Sequence, residues 1–363
     1  MKKLLSPFMK GKFELKNHLV MAPMTRTRAL GNQPNEMMVE YYEQRSGAGL
    51  IITEATAPVP NALGYPNIPG IFNQSQVDGW KTITDRVHKK GSKIVLQLMH
   101  TGRMGHTDNQ PENAVLVGPS EIAAAGEIFT TAGMKPHSIP IALTNEGIQE
   151  VIAGFVTAAQ NAMAAGFDGV ELHAANGYLL EQFLNPNVNT RTDEYGGSIE
   201  NRARLTVELI KVVADAIGKD HVGIRFSPFS TVGDLAAYDE KEVHETYAYL
   251  AQQLNQTGIA YIHVAVNGPI PQPTFDVLRN NFSGIIILCN GLTPESGEEA
   301  LHAGFADLVA FGKSFLANPD FVERIAKDAP LNEVDFNTFY GTTAKGYIDY
   351  PILELTQLKY QVS

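Results

Sequence analysis

The sequence predicts an α/β protein, a closed parallel (β/α)8 barrel, in one domain spanning residues 1–363. Three observations carry this. First, eight short runs are apolar and rich in Val and Ile, as strands buried on both faces are: His18–Met24, Leu50–Thr56, Lys93–Met99, Asp168–His173, Val222–Phe226, Ala260–Val266, Gly284–Cys289 and Asp307–Phe311. Second, longer amphipathic segments separate them. Third, one helix-to-strand joint recurs, in Gly166-Phe167-Asp168 and Gly304-Phe305-Ala306-Asp307. An open doubly wound sheet is the rival. It calls for a glycine-rich turn after the first strand, and Ala22-Pro23-Met24-Thr25-Arg26 has none.

The helices are punctuated by a cap residue before and a glycine after. Asn35 precedes Glu36–Ser46, and Ser75 caps Gln76–Lys90 ahead of Gly91. Thr144-Asn145-Glu146-Gly147 opens a long helix ending at Gly166. Glu200–Ile217 stops at Gly218, Asp239–Thr257 at Gly258 and Thr293–Ala303 at Gly304. Two stretches exceed the bare barrel. Phe13–His18 reads as a hairpin closing its bottom. Thr101–Leu143 (101–143) is a long insertion after strand three, a capping segment at the end where barrel loops carry function.

Of the 363 residues, 44% are hydrophobic and 18% charged, which supplies a large core and argues against disorder. A net charge of -11 repels phosphate backbones, so nucleic acid is not an expected partner. The one cysteine, Cys289, rules out an internal disulfide and a cysteine-ligated metal centre. The opening residues have the charge of a leader peptide without its apolar stretch, and no run approaches the ~20 residues of a membrane span. The expectation is a soluble cytoplasmic protein with no membrane partner.

Active-site groups of a barrel sit at the C-terminal strand ends. There the sequence places Thr25, Gln97, His173 with Asn176 and Tyr178, and Arg225. Alternation puts Gln97 with Val95 and Met99 on one face and Arg225 with Gly223, leaving Leu96, Leu98 and Ile224 to face the helices. No carboxylate pair, Ser-His-Asp set or metal-ligand spacing appears. The set suits a polar heterocycle that acquires negative charge, such as a flavin. His173 and Asn176 can donate to a carbonyl or nitro oxygen, and Tyr178, with a reference pKa of ~10, can deliver a proton. Asn290-Gly291 and Gly312-Lys313 end strands seven and eight, where barrels often bind phosphate. Each group also has an ordinary reading: a satisfied core amide for Gln97, an ion pair with Glu171 or Glu54 for Arg225, turn glycines beside a solvated Lys313. His263 takes such a structural reading; His100 and His106 are left unassigned.

The motifs Met21–Arg26, Ile52–Thr56, Gln97–Arg103, Gly169–Leu184, Asn189–Arg202 and Phe315–Asp320 run in order through essentially the whole chain. In these the chain resembles the Old Yellow Enzyme family of FMN-dependent ene-reductases. The resemblance implies a single FMN-binding barrel. Thr25 would bond the flavin C4 carbonyl, Pro23, Met24 and Ala57 would line the ring, Gln97 would meet the pyrimidine edge and Arg225 the N1–O2 edge. Asn290, Gly291, Gly312 and Lys313 would hold the phosphate. His173 and Asn176 would bind the substrate oxygen and Tyr178 would be the proton donor, while Asn189–Arg202 would be scaffolding. It also implies ping-pong chemistry: NADPH or NADH reduces the flavin, then an enone, enal, maleimide or nitroalkene is reduced. Many relatives carry Trp where Met99 stands, a change that reshapes the substrate pocket, and Arg where Lys313 stands. Two other classes stay open. A dihydroorotate-type flavoenzyme would want a Cys or Ser base in a loop, and an aldolase a Schiff-base lysine inside the barrel.

Overall fold

The computed structural model describes residues 2–112, 114–265, 271–289 and 291–353. Eight parallel strands close into a barrel: β1 (Leu19–Met21), β2 (Leu50–Ile52), β3 (Lys93–Leu98), β4 (Gly169–Ala174), β5 (Val222–Phe226), β6 (Tyr261–Ala265), β7 (Ile285–Cys289) and β8 (Leu308–Phe311). Strand β8 pairs with β1, Val309 opposite Leu19, so no edge remains and the rival open sheet is set aside. Every predicted run holds a strand; β5 keeps the predicted bounds, β4 is shifted by one residue, and the other six are shorter than expected. Val266, the predicted end of strand six, lies outside the described residues.

The predicted alternation holds. Val20, Leu50, Ile52, Val95, Tyr261, Ile285 and Ile287 fill the barrel interior. Leu96, Leu98 and Ile224 pack outward with the helices. Glycine at 223 is a steric need: a Cβ there would lie 2.2 Å from the Tyr261 ring.

Helices follow the strands and are capped largely as read. Asn35 accepts from the Met38 amide, Thr144 from Gly147, Asp239 from Glu242, and Thr293 forms a capping box with Ser296. Each such cap contributes about 1 kcal/mol. One cap is corrected: the second helix is Gln74–Lys89, and Asn73 rather than Ser75 accepts its amide, from Gln76. Both residue types cap well, and the helix starts a residue or two earlier than periodicity suggested. A helix at Gln272–Asn281, unread in the sequence, completes the sixth unit.

The recurring joint has a physical basis. Asp168 accepts from the Ile94 amide at 2.8 Å and meets Lys93 and His88. Asp307 accepts from the Ile286 amide at 2.8 Å and meets Lys10 and Arg279. In both, a carboxylate at the start of a strand caps the neighbouring strand.

The bottom hairpin is Phe8–Lys10 paired with Phe13–Leu15, one arm earlier than predicted. Its Phe8 and Leu15 join the interior cluster and close the barrel floor. The 101–143 stretch forms a hairpin, Glu127–Thr130 with Gly133–Pro136, and a two-residue pairing of Val117–Gly118 with Ile141–Ala142.

Candidate active site

A cleft of about 820 Å³ opens at the C-terminal strand ends. Residues after β1 (Pro23, Met24, Thr25), Gln97 and Met99 from β3, His173 from β4, Asn176 and Tyr178 after it, and Arg225 from β5 line it together. Nine residues singled out in the sequence therefore meet in one place. The capping segment adds Met104, Ile128, Phe129 and His137.

The β4 turn is tightly held. Asn176 has φ 57° and Gly177 φ 77°. A Cβ on Gly177 would sit 2.4 Å from the Val232 carbonyl, so only glycine fits. The Asn176 amide donates to Ser227 Oγ at 2.8 Å, Ser227 Oγ donates to Glu181 Oε1 at 2.7 Å, and the Gly177 amide donates to Glu181 Oε2 at 2.7 Å. Burial pushes the Glu181 carboxyl up to about 8.

The side chains on either side of this turn, His173 in β4 and Tyr178 after it, have defined protonation states. Burial first, then the charges of Arg225 and His263, hold His173 well below its ordinary value, so it is a neutral imidazole. Its Nδ1 is buried without a partner. Burial, then the Tyr65 hydroxyl, push Tyr178 well above the ordinary phenol value, so it keeps its proton. Tyr178 donates to Tyr65 Oη at 3.3 Å, and its ring stands edge-on to His173, centroids 5.0 Å apart.

At the other wall, Gln97 Nε2 donates to Glu171 Oε1 at 2.8 Å, and Glu171 Oε2 lies 2.9 Å from His263 Nδ1. All three are buried. Burial raises the Glu171 carboxyl, but His263, Arg225 and Gln97 outweigh it, and the carboxyl falls below its ordinary value. This corrects the ordinary reading of Arg225. Glu171 belongs to His263, Glu54 to the Tyr42 hydroxyl, and among the described residues Arg225 has no carboxylate within 4.0 Å. Among those residues its one hydrogen-bond partner is Cys289 Sγ at 4.0 Å, and its Nε is buried with no acceptor. A buried cation without an anion is costly. Facing the cleft, it fits a ligand edge rich in carbonyl oxygen and negative charge, and the pyrimidine edge of FMN is such an edge.

Not every predicted residue lines the cleft. Ala57 is fully buried, and its amide and carbonyl are both spent on the Pro69 carbonyl and Ile71 amide; Ala55 takes the lining place. Gly291, Gly312 and Lys313 are not among the lining residues; Gly312 lies against Met24, which is, and Lys313 is exposed with its ammonium 5.4 Å from the Phe336 ring centre. Asn290 lies outside the described residues. His100 is buried and neutral, driven down to about 3 by burial, and accepts from the Gly102 amide; His106 caps a short turn. In the Asn189–Arg202 stretch, Asn189 donates to the Phe183 and Tyr195 carbonyls and Arg202 to the Leu184 carbonyl.

The reading missed Tyr65, Phe339 and Tyr340 on the cleft wall. The last two come from the C-terminal segment, brought over by Arg26 and Arg28. Arg28 donates to the carbonyls of Thr338, Phe339, Thr343 and Lys345, and Arg26 to those of Phe339 and Gly346. The alternation of arginines after β1 was the available signal.

The family model described as "NADH:flavin oxidoreductase / NADH oxidase family" matches residues 3–332. The chain belongs to that family. It is therefore a flavin oxidoreductase of the Old Yellow Enzyme group, with FMN as its cofactor. It is 43% identical to 12-oxophytodienoate reductase 1 of Oryza sativa subsp. japonica, over 97% of this chain and 93% of that one. Among solved structures, morphinone reductase superposes with a TM-score of 0.92 at 42% identity, covering 97% of this chain and 96% of that one. An old yellow enzyme homologue from Zymomonas mobilis gives 0.91 at 37% identity, covering 96% and 99%.

Proposed function

We propose that this chain is an ene-reductase whose residues divide into a cofactor wall and a substrate wall of one cleft. It reduces C=C bonds activated by a carbonyl or nitro group: enones, enals, maleimides and nitroalkenes. FMN, when bound, supplies the hydride chemistry between a reduced nicotinamide and the alkene.

The chain's own residues do the rest. Thr25, Gln97 and Arg225 hold the polar edge of the ring, with Pro23, Met24 and Ala55 against its face. Arg225 meets the negative charge of that edge with a permanent counter-charge. Gly291, Gly312 and Lys313, with Asn290, take the phosphate; glycine backbone amides and one lysine suit an exposed anion. His173 and Asn176 donate to the substrate's activating oxygen, where charge builds as the β-carbon accepts hydride. A neutral His173 polarises that oxygen without yielding a full proton. Tyr178, kept protonated by burial, delivers a proton to the α-carbon. Met99, buried in the cleft wall, leaves substrate space that a larger aromatic would fill.

The hydride donor is NADPH or NADH; a morphinone reductase structure in complex with tetrahydroNAD supports a nicotinamide in this cleft. A cytoplasmic setting agrees with the single cysteine and with the lack, among described residues, of a helix long and apolar enough to cross a membrane.

The observation that carries the reading is the meeting, in one cleft, of a buried arginine with no ion-pair partner among the described residues, a neutral histidine and a proton-bearing phenol. Tyr178→Phe tests it. In stopped flow, the oxidation of the reduced protein by 2-cyclohexenone slows by about 10²-fold or more, in the range of general acid catalysis, while bleaching by NADPH keeps its rate. Equal loss in both half-reactions removes Tyr178 from the donor role.

A further inference from the structure

The amide of Gln97 has two unlike ends, and the structure shows what decides which end meets the cleft. Its NH2 group donates to Glu171 Oε1 at 2.8 Å, inside the barrel. Glu171 is fully buried, and its second oxygen is taken by His263 Nδ1 at 2.9 Å. A carboxylate held between a histidine and an amide accepts hydrogen bonds and donates none. Turning the Gln97 amide over would set oxygen against oxygen. With the NH2 so committed, Gln97 Oε1 is left toward the cleft that the side chain lines, and among the described residues Arg225 Nε is buried with no acceptor. The wall thus offers an acceptor from Gln97 beside donors from Arg225. That pair is complementary to a cyclic imide, whose ring N–H stands next to a carbonyl oxygen.

Resting on the FMN reading above, we propose that Glu171 is a positioning residue: through Gln97 it fixes a carbonyl acceptor toward the imide N–H of the bound cofactor. Glu171 itself touches no ligand. His263 is part of the same device, since it holds the second carboxylate oxygen and keeps Glu171 from swinging away. This gives a role to a histidine that the sequence leaves as merely structural.

The test titrates apoprotein with FMN and with 3-methyl-FMN, which lacks the N3 proton, and follows quenching of flavin fluorescence. In the wild-type protein the methylated cofactor binds at least tenfold more weakly, because a buried acceptor is left unmet. In Glu171→Gln the Gln97 amide has a donor beside it and is free to turn, so the ratio falls to threefold or less. Glu171→Asp, which keeps an acceptor, restores part of it. Gln97→Met removes the amide while keeping its length, and must collapse the ratio in the same way; it decides the matter where Glu171→Gln fails to fold. A ratio unchanged in Glu171→Gln or in Gln97→Met overturns the proposal, because the discrimination is then steric. Failure of the wild-type protein to bind FMN at all would instead sink the cofactor reading.

Discussion

Replacing Glu181 by glutamine separates the charge of that residue from its shape, and the structure sets the size of the effect. Glu181 is 4% exposed and accepts from Gly177, Ser227 and Tyr247 beneath the turn after β4. Burial raises its carboxyl from an ordinary 4.5 to about 8. The folded protein thus keeps a proton that the unfolded chain releases. A carboxyl shifted upward favours the folded state at low pH, and that contribution is lost as pH rises through 4.5 toward 8. The shift corresponds to roughly 5 kcal/mol between the two ends of the window, at about 1.36 kcal/mol per pKa unit. Glutamine carries no charge at either end. At pH 5 Glu181→Gln should be slightly less stable than wild type, by about 1 kcal/mol, since it offers one oxygen to three donors. At pH 9 the order should reverse by several kcal/mol. At about 2 °C per kcal/mol for a chain of this size, the difference in Tm should move by roughly 6–10 °C across the window. Circular dichroism melts of both proteins at pH 5, 6, 7, 8 and 9 read this directly. Glu54, which burial raises to about 7, is common to both and cancels in the difference. Parallel curves would show that Glu181 does not hold a proton in the folded state.

Two further outcomes follow from the geometry. Gly177→Ala forces a Cβ to within 2.4 Å of the Val232 carbonyl at a φ of 77°, which costs about 2–3 kcal/mol and displaces the turn. The affinity for a para-substituted phenol should drop tenfold or more while FMN content stays full, both read by visible absorbance. Arg28→Met strands four backbone carbonyls of the C-terminal segment and should cost about 3 kcal/mol. Limited proteolysis should then cut near Gly341, and KM for the alkene should rise through loss of the Tyr340 wall.

The barrel was legible because its signals are local: apolar runs, caps and terminal glycines each reflect a few neighbouring residues. Gln97, Arg225, His173 and Tyr178 were legible because a strand end in a closed barrel points to one place. Ala57 was assigned to the ring by resemblance alone; it pairs with Gly70 instead, and Ala55, two residues earlier, is the one in the cleft lining. Ser75 and Asn73 compete as caps within one turn, and their side chains decide it only in three dimensions, Asn73 Oδ1 taking the Gln76 amide. Tyr65 and Tyr340 escaped because loop and C-terminal contacts across more than a hundred residues leave no periodic trace. The partnership of Glu171 with His263 rather than Arg225 depends on barrel stagger, which sets which interior side chains share a layer.

The central claim is that this one cleft holds FMN and passes hydride from a nicotinamide to an activated alkene. An anaerobic visible spectrum of the purified protein tests it most directly, taken alone, after NADPH, and after 2-cyclohexenone. The account predicts a yellow flavin spectrum that bleaches with NADPH and returns with the enone. A colourless protein that takes up no FMN, or a bleached spectrum that the enone leaves unchanged, would contradict it.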